Sequence, residues 1–334
     1  MRLTRAPAAR PAKPRPRLRR RFAPAARAGL ICGLLAAAAC EPQGQRQSLV
    51  PRPRPAALVP KTPAPSADSQ ELAQYYRLLE RDLLIRGLLR TDGGGPDTPF
   101  DADGLAESFE ALAFYDEYGG NGLVGGLGRW PGPVRIAAEF GPSVPPAQRA
   151  ADRAMLRDYA ARLARITGHP VSTVPGRANF HVLFASLDDS AFVAERVREL
   201  LPGLGARELA LLAAPPRSYY CLVVAGGPEG DPLAYSRGVA LIRAEHPDLV
   251  RKSCVHEEVA QGLGLRNDSP RARPSIFNDD DEFALLTSFD EKLLQILYDP
   301  RLSPGMSADE ARPLVRAIVR EQMGETRALA GGPL

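Results

Sequence analysis

Between Ser69 and Arg90 the apolar residues Leu72, Tyr75, Tyr76, Leu79, Leu83 and Leu84 recur at spacings of three and four, which predicts an amphipathic helix with Ser69 as its cap. The same spacing of Leu105, Phe109, Leu112 and Ala113 predicts a shorter helix over 104–115. The pattern then changes. VRIAAEF at 134–140 reads as a strand, and a long polar segment follows with a stripe of Met155, Tyr159, Leu163 and Ile166. Pro145 near its start and Gly168 after its end mark that segment as a helix. Two strands are expected at 170–174 and 178–186, a helical stretch at about 190–213, and then SYYCLVVA and RGVALIRAE as two strands joined by the turn GGPEGD. A helix through VHEEVAQGLG follows. After it, Ser288 and Glu291 form a capping-box pattern before Leu293, Leu294 and Leu297, with Asp299 and Pro300 as the stop, and Ser307 with Glu310 opens one more helix to about Met323. The glycine-rich GGNGLVGGLGRW at 119–130 has no strand before it and no helix after it, so it reads as a flexible loop, not a phosphate cradle.

The chemistry concentrates in VHEEVAQGLGLRND, residues 255–268. If His256 and Glu257 opened an HExxH zinc motif, the second ligand would fall on Ala260, which cannot coordinate. One residue later the spacing closes. Glu257, Glu258, Gln261, Gly264 and Asn267 take the five places of HExxHxxGxxH, with Glu, Gln and Asn where three histidines would stand. Positions i and i+4 of a helix share a face, so Glu257 and Gln261 can point at one centre while Glu258 lies about 100° aside. Gly264 can take the positive φ that ends the helix and brings Asn267 back.

In these residues the chain resembles the metzincin metallopeptidases, and more closely the bacterial family known as domain of unknown function 2927, which carries the EExxQxxGLxND variant. The resemblance extends over SIFNDDDEFALLTSFDEKLLQILYDPRLSPGM at 275–306. It implies a metzincin-like α/β (α+β) fold: a twisted mixed sheet, a long helix, an active-site-type helix and a helical C-terminal part. Phe277 takes the place of the methionine beneath the metal, and LTSFDEKLLQILYD resembles the closing helix of that fold. The resemblance also implies roles, with Glu258 as the general base and Glu257, Gln261 and Asn267 at the metal-ligand places. A zinc peptidase needs three ligands and an open position for water. One carboxylate and two neutral amides suit calcium or manganese better than zinc. Three readings stay open: a buried hydrogen-bond network, a hydrolase using Glu258 with a harder divalent ion, and a peptide- or protein-binding module without chemistry. His256 lies off the ligand face and reads as a surface residue or one behind the site. His169, His181 and His246 have no ligand spacing. The acidic DDDE at 279–282 reads as a solvated loop, with calcium ligation as the alternative.

Composition changes the picture at the N-terminus. The chain has 334 residues with 43 Lys and Arg against 39 Asp and Glu, and the first 64 residues hold 14 of those bases and one acid. The remaining 270 are therefore acidic, and a nucleic-acid partner is discounted. Arg19, Arg20 and Arg21 precede an apolar run from Ala28 to Ala39 and then Cys40, an export-signal pattern too short to span a bilayer. AAAC resembles a lipidation box with Ala37 where a Leu normally stands, so both a membrane anchor through a lipid at Cys40 and simple cleavage remain open. Seven prolines in 41–67 mark a disordered tether. The expected organisation is a leader over 1–40, the tether over 41–67, one domain over 68–323 and a frayed tail over 324–334. Export into the cell envelope leaves Cys221 and Cys254 in an oxidising compartment, where one disulfide is expected.

Overall fold

Strands β1 (Val134–Phe140), β2 (Val171–Thr173), β3 (Phe180–Ala185), β4 (Cys221–Gly226) and β5 (Arg237–Arg243) form one sheet in the order β2-β1-β3-β5-β4. This is the arrangement in a computed structural model, which describes residues 62–115, 125–278 and 280–330. The first four strands of that order are parallel, and β4 runs antiparallel to β5 at the edge. Ile136 sits opposite Phe180, and Phe180 opposite Gly238, which sets the register of the centre. The described residues fall within one compact unit, and the leader and most of the expected tether, with Cys40, lie outside them.

Strand periodicity divides the core into two layers. Phe180, Val182 and Phe184 of β3, with Ala240 and Ile242 of β5, face the large core. Helices α3 (Pro146–Thr167) and α6 (Asp248–Gln261) pack against the sheet on that side, and α2 (Ala102–Ala113), α7 (Ser288–Leu297) and α8 (Ala308–Ala330) complete the same core. The alternate residues Leu183, Ala185, Val239 and Leu241 face α4 (Ser190–Leu200) and α5 (Ala206–Ala213) on the other side. Burial on both faces is why β3 and β5 read as continuous apolar runs. The fold is thus mixed α/β, as expected. The stretch expected as one helical region at 190–213 is two helices broken at Pro202 and Gly203.

Four local expectations are corrected. Helix α1 (Ala67–Ile85) is capped by Ser66, whose hydroxyl accepts from the Ser69 amide at 3.1 Å; Ser69 is buried inside the first turn and donates to Glu245 instead. The box at α7 is Thr287 with Asp290, one residue before the expected pair, because Asp290 is drawn into the interior by other donors as well. The glycine-rich loop is packed where it is described. Leu127 and Trp130 are buried, and a Cβ on Gly128 would lie 2.4 Å from the Tyr235 hydroxyl, so this glycine serves close approach. The last helix runs to Ala330, beyond the expected Met323.

Candidate functional site

Helix α6 is the element the motif occupies, and its end is closed from several sides. The Gly262 amide donates to Glu258 at 2.9 Å, Leu263 to Ala260 at 3.0 Å and Gly264 to Gln261 at 2.8 Å. The carbonyls left over at a helix end need outside donors. Trp130 Nε1 reaches the Gly262 carbonyl at 2.8 Å and the Tyr298 hydroxyl reaches Leu263 at 3.0 Å. Gly264 has φ 135°, the positive value expected there, and a Cβ would come within 2.2 Å of the Gly128 carbonyl. Glycine is required at 264 both for the backbone and for the packed loop beside it.

The five motif places behave differently from one another. Glu257 is half-buried, while Glu258 and Gln261 are buried. Gln261 Nε2 donates to Asp268 Oδ1 at 2.9 Å, a contact of helix with turn. Asn267 is drawn away to α2: its amide donates to the Leu112 carbonyl at 3.2 Å, and its Nδ2 to Ala111 at 2.9 Å. Both side-chain amides thus help satisfy polar groups of the fold. Among the described residues no group of three or more His, Cys, Asp and Glu is placed to hold a metal ion. The donor set at the motif places is one carboxylate and two such amides, which does not fit zinc.

His256 is neither on the surface nor solvated. Its ring stacks on Tyr159 of α3 at 4.0 Å and 13°, its Nδ1 accepts from the Leu286 amide at 3.2 Å, and the Tyr159 hydroxyl donates to its carbonyl at 2.6 Å. Burial lowers the imidazole to about 3 and raises the Tyr159 phenol well above its ordinary value, so the ring is neutral and the hydroxyl keeps its proton. The histidine joins α6, α3 and the segment before α7. The remaining histidines are scattered, as expected. His169 bonds Gly132, His181 pairs with Glu139, and buried His246 bonds the Tyr220 carbonyl.

The Ser275-Ile276-Phe277 turn is held by a residue the motif did not mark. Asp290, fully buried, accepts from Ser275 Oγ at 2.6 Å, the Ile276 amide at 3.2 Å, the Thr287 amide at 2.9 Å and Thr287 Oγ1 at 2.9 Å. Burial raises its carboxyl to about 6, against the pull of these four donors. Phe277 is buried in the large core, and its carbonyl takes the Ser269 amide at 2.9 Å. The sign of Asp290 in the sequence was the acid three places after Thr287, a capping box that can also face inward. Asp279 of the acidic DDDE run lies outside the described residues. Asp280 and Glu282 both pair with Arg273, so these two acids are committed to an ion-pair cluster.

Cys221 and Cys254 are joined in a disulfide with Cα atoms 5.8 Å apart. It ties the start of edge strand β4 to α6 one turn before Glu258, so Glu258 shares the helix face that looks toward β4.

Sheet order, helix layers and the closed end of α6 define a mixed α/β domain built around one motif helix. The chain belongs to the family described as "Protein of unknown function (DUF2927)", whose model matches residues 102–317. A search among curated proteins and among solved structures finds no match for the chain.

Proposed function

We propose that this is an exported, cell-envelope protein whose domain is metzincin-like in scaffold, has a degenerate zinc site, and works as a peptide- or protein-binding module. The observation that carries this reading is the use made of Gln261 and Asn267. Both stand at ligand places, and both give their amide nitrogens to structural partners, Asp268 and the end of α2. The element order of strand, long helix, further strands and motif helix supports the metzincin-like part. The disulfide supports export, since such bonds persist in oxidising compartments, and it agrees with the leader pattern ending at Cys40. Lipid attachment at Cys40 would hold the domain at a membrane.

Binding has a physical basis in β4. It is the outer strand of the sheet, and the structure gives no partner to its far edge among the described residues. An exposed edge offers a row of backbone donors and acceptors to an extended peptide, and pockets for alternate side chains then set preference. The disulfide keeps this edge and the Glu258 face of α6 at a constant separation.

The test combines metal analysis with hydrogen exchange. Purified protein is expected to retain no stoichiometric zinc, and an extended peptide taken from a random pool is expected to protect alternate amides of 221–226. One zinc per chain together with cleavage of an unfolded substrate, lost in Glu258→Ala with folding intact, would sink the reading and make Glu258 the general base of a working hydrolase.

A further inference from the structure

At the end of the sheet where β5 leads toward the start of the motif helix, the parallel strands β1, β3 and β5 end along one rim. The chain leaving β1 turns to α3 on one face, and the chain leaving β3 turns to α4 on the other. In open α/β sheets such a divergence leaves a crevice beyond the carboxyl ends of the strands, the usual place for a ligand. A cleft of about 370 Å³ lies there, lined by Ser143 and Gln148 after β1, Ser186 after β3, Glu245 after β5, and Ser69 and Arg77 of α1.

The inner groups of this cleft are acceptors. Glu245 is more than nine-tenths buried. Its Oε1 accepts from the Leu187 amide at 2.6 Å and from Ser69 Oγ at 3.0 Å, while its buried Oε2 has no hydrogen-bond partner. An unsatisfied buried carboxylate oxygen is costly, and native proteins rarely leave one without an occupant or a water. Burial pushes this carboxyl above its ordinary range, against the pull of its hydrogen bonds and of the nearby Arg243 charge. Ser143 Oγ and Ser186 Oγ lie 2.6 Å apart, so one donates to the other, and both lie within hydrogen-bond distance of Asp189 Oδ2, at 2.5 and 3.1 Å. Ser186 Oγ also accepts from the Asp188 amide at 3.2 Å, which leaves Ser143 Oγ as the hydroxyl with a lone pair to offer. Gln148 Nε2 donates to the Ala244 carbonyl at 3.1 Å, so the amide oxygen is its free end. The missing partner must therefore bring donors, and a primary ammonium brings three. At the rim, exposed Arg77 forms no ion pair among the described residues.

We propose that this cleft binds a free amino acid, with Glu245 as counter-charge to the ammonium group and Arg77 receiving the carboxylate. This does not rest on the reading of the motif helix, and it holds whether or not that helix binds metal. L-Alanine, the part common to most amino acids, is the probe, and L-lactate, which carries a hydroxyl in place of the ammonium, is the control. Titration followed by NMR should give saturable shifts at millimolar L-alanine and none with L-lactate. Glu245→Gln can keep the bonds to Leu187 and Ser69 but loses the charge, and should weaken binding by at least about tenfold. Arg77→Ala alters an exposed side chain and should weaken it several-fold with folding unchanged. Absence of saturation with L-alanine, equal binding of L-lactate, or both variants binding like the original protein would each overturn the proposal.

Discussion

Gln261 and Asn267 illustrate how the same side chain can stand at a catalytic spacing and serve packing. Each bridges elements distant in sequence or direction, and each removal takes a hydrogen bond from its partner. Gln261→Ala and Asn267→Ala should each lower stability by about 1–3 kcal/mol, with a melting temperature that neither zinc nor a chelator moves. A zinc-dependent rise in the melting temperature of the original protein, absent in the variants, would contradict this. Asp290 carries a pH signature. Its carboxyl is raised from 3.8 to about 6, so the folded state holds this proton more tightly than the unfolded chain. The resulting stability is present in full below about 4 and is lost as pH rises through 6. Measured against Asp290→Asn by urea unfolding from pH 4 to pH 7, the original protein should lose up to roughly 3 kcal/mol of its relative stability. A difference independent of pH would show that Asp290 titrates normally. Glu139 acts in the opposite direction: burial would raise it, but His181 and Arg196 overcome that and hold it at about 2, so its contribution is lost only in stronger acid.

At the scale of elements, the disulfide is the one covalent link between the sheet edge and the motif helix. Closing a segment with a separation of 33 residues should stabilise by roughly 3–4 kcal/mol on the chain-entropy account. Paired Cys221→Ser and Cys254→Ser substitutions should lower the denaturant midpoint accordingly, and two free thiols in unreduced protein would remove the basis of the expectation. Helix α1 is a second such element. Residues 67–85 lie outside the family-matched span, yet Tyr76 is fully buried, donates to the Arg217 carbonyl at 2.8 Å and rests its ring 4.2 Å from His246. The helix thereby closes over the strand ends that form the amino-acid cleft.

The whole domain has one tryptophan, and its position makes it a reporter. Trp130 is 1% exposed, stacks with Phe180 of β3 at 6.0 Å and holds the end of α6 through Gly262. Because β3 and β5 give alternate residues to both core layers, neither layer can come apart without exposing the shared strands. Trp130 emission should be blue-shifted, and its unfolding transition should coincide with loss of far-ultraviolet circular dichroism. Two separated transitions would mean that the α4–α5 layer unfolds on its own.

Much of this architecture was legible along the chain. VRIAAEF, the stripe of α3 with its Gly168 stop, and the apolar runs of β3 and β5 announced themselves, because a period of two or of three to four is a local property that burial then rewards. The spacing in EEVAQGLGLRN likewise placed a helix and a positive φ at Gly264, both dictated by backbone geometry. What the chain could not show was the destination of polar atoms. Whether Ser66 or Ser69 caps α1, whether Asp290 faces water or four donors, and whether Asn267 turns toward Gln261 or toward α2 depend on how other segments fold back against them, from the Ser275 turn 15 residues before Asp290 to Glu245, 176 residues after Ser69. His256 reads from its place on the helix as a surface residue or one behind the site, and it is buried, with Tyr159 of α3 stacked on its ring. Local periodicity determined the elements; only their packing decided which side chains lose water, and that loss sets hydrogen bonding, charge state and the shape of any site.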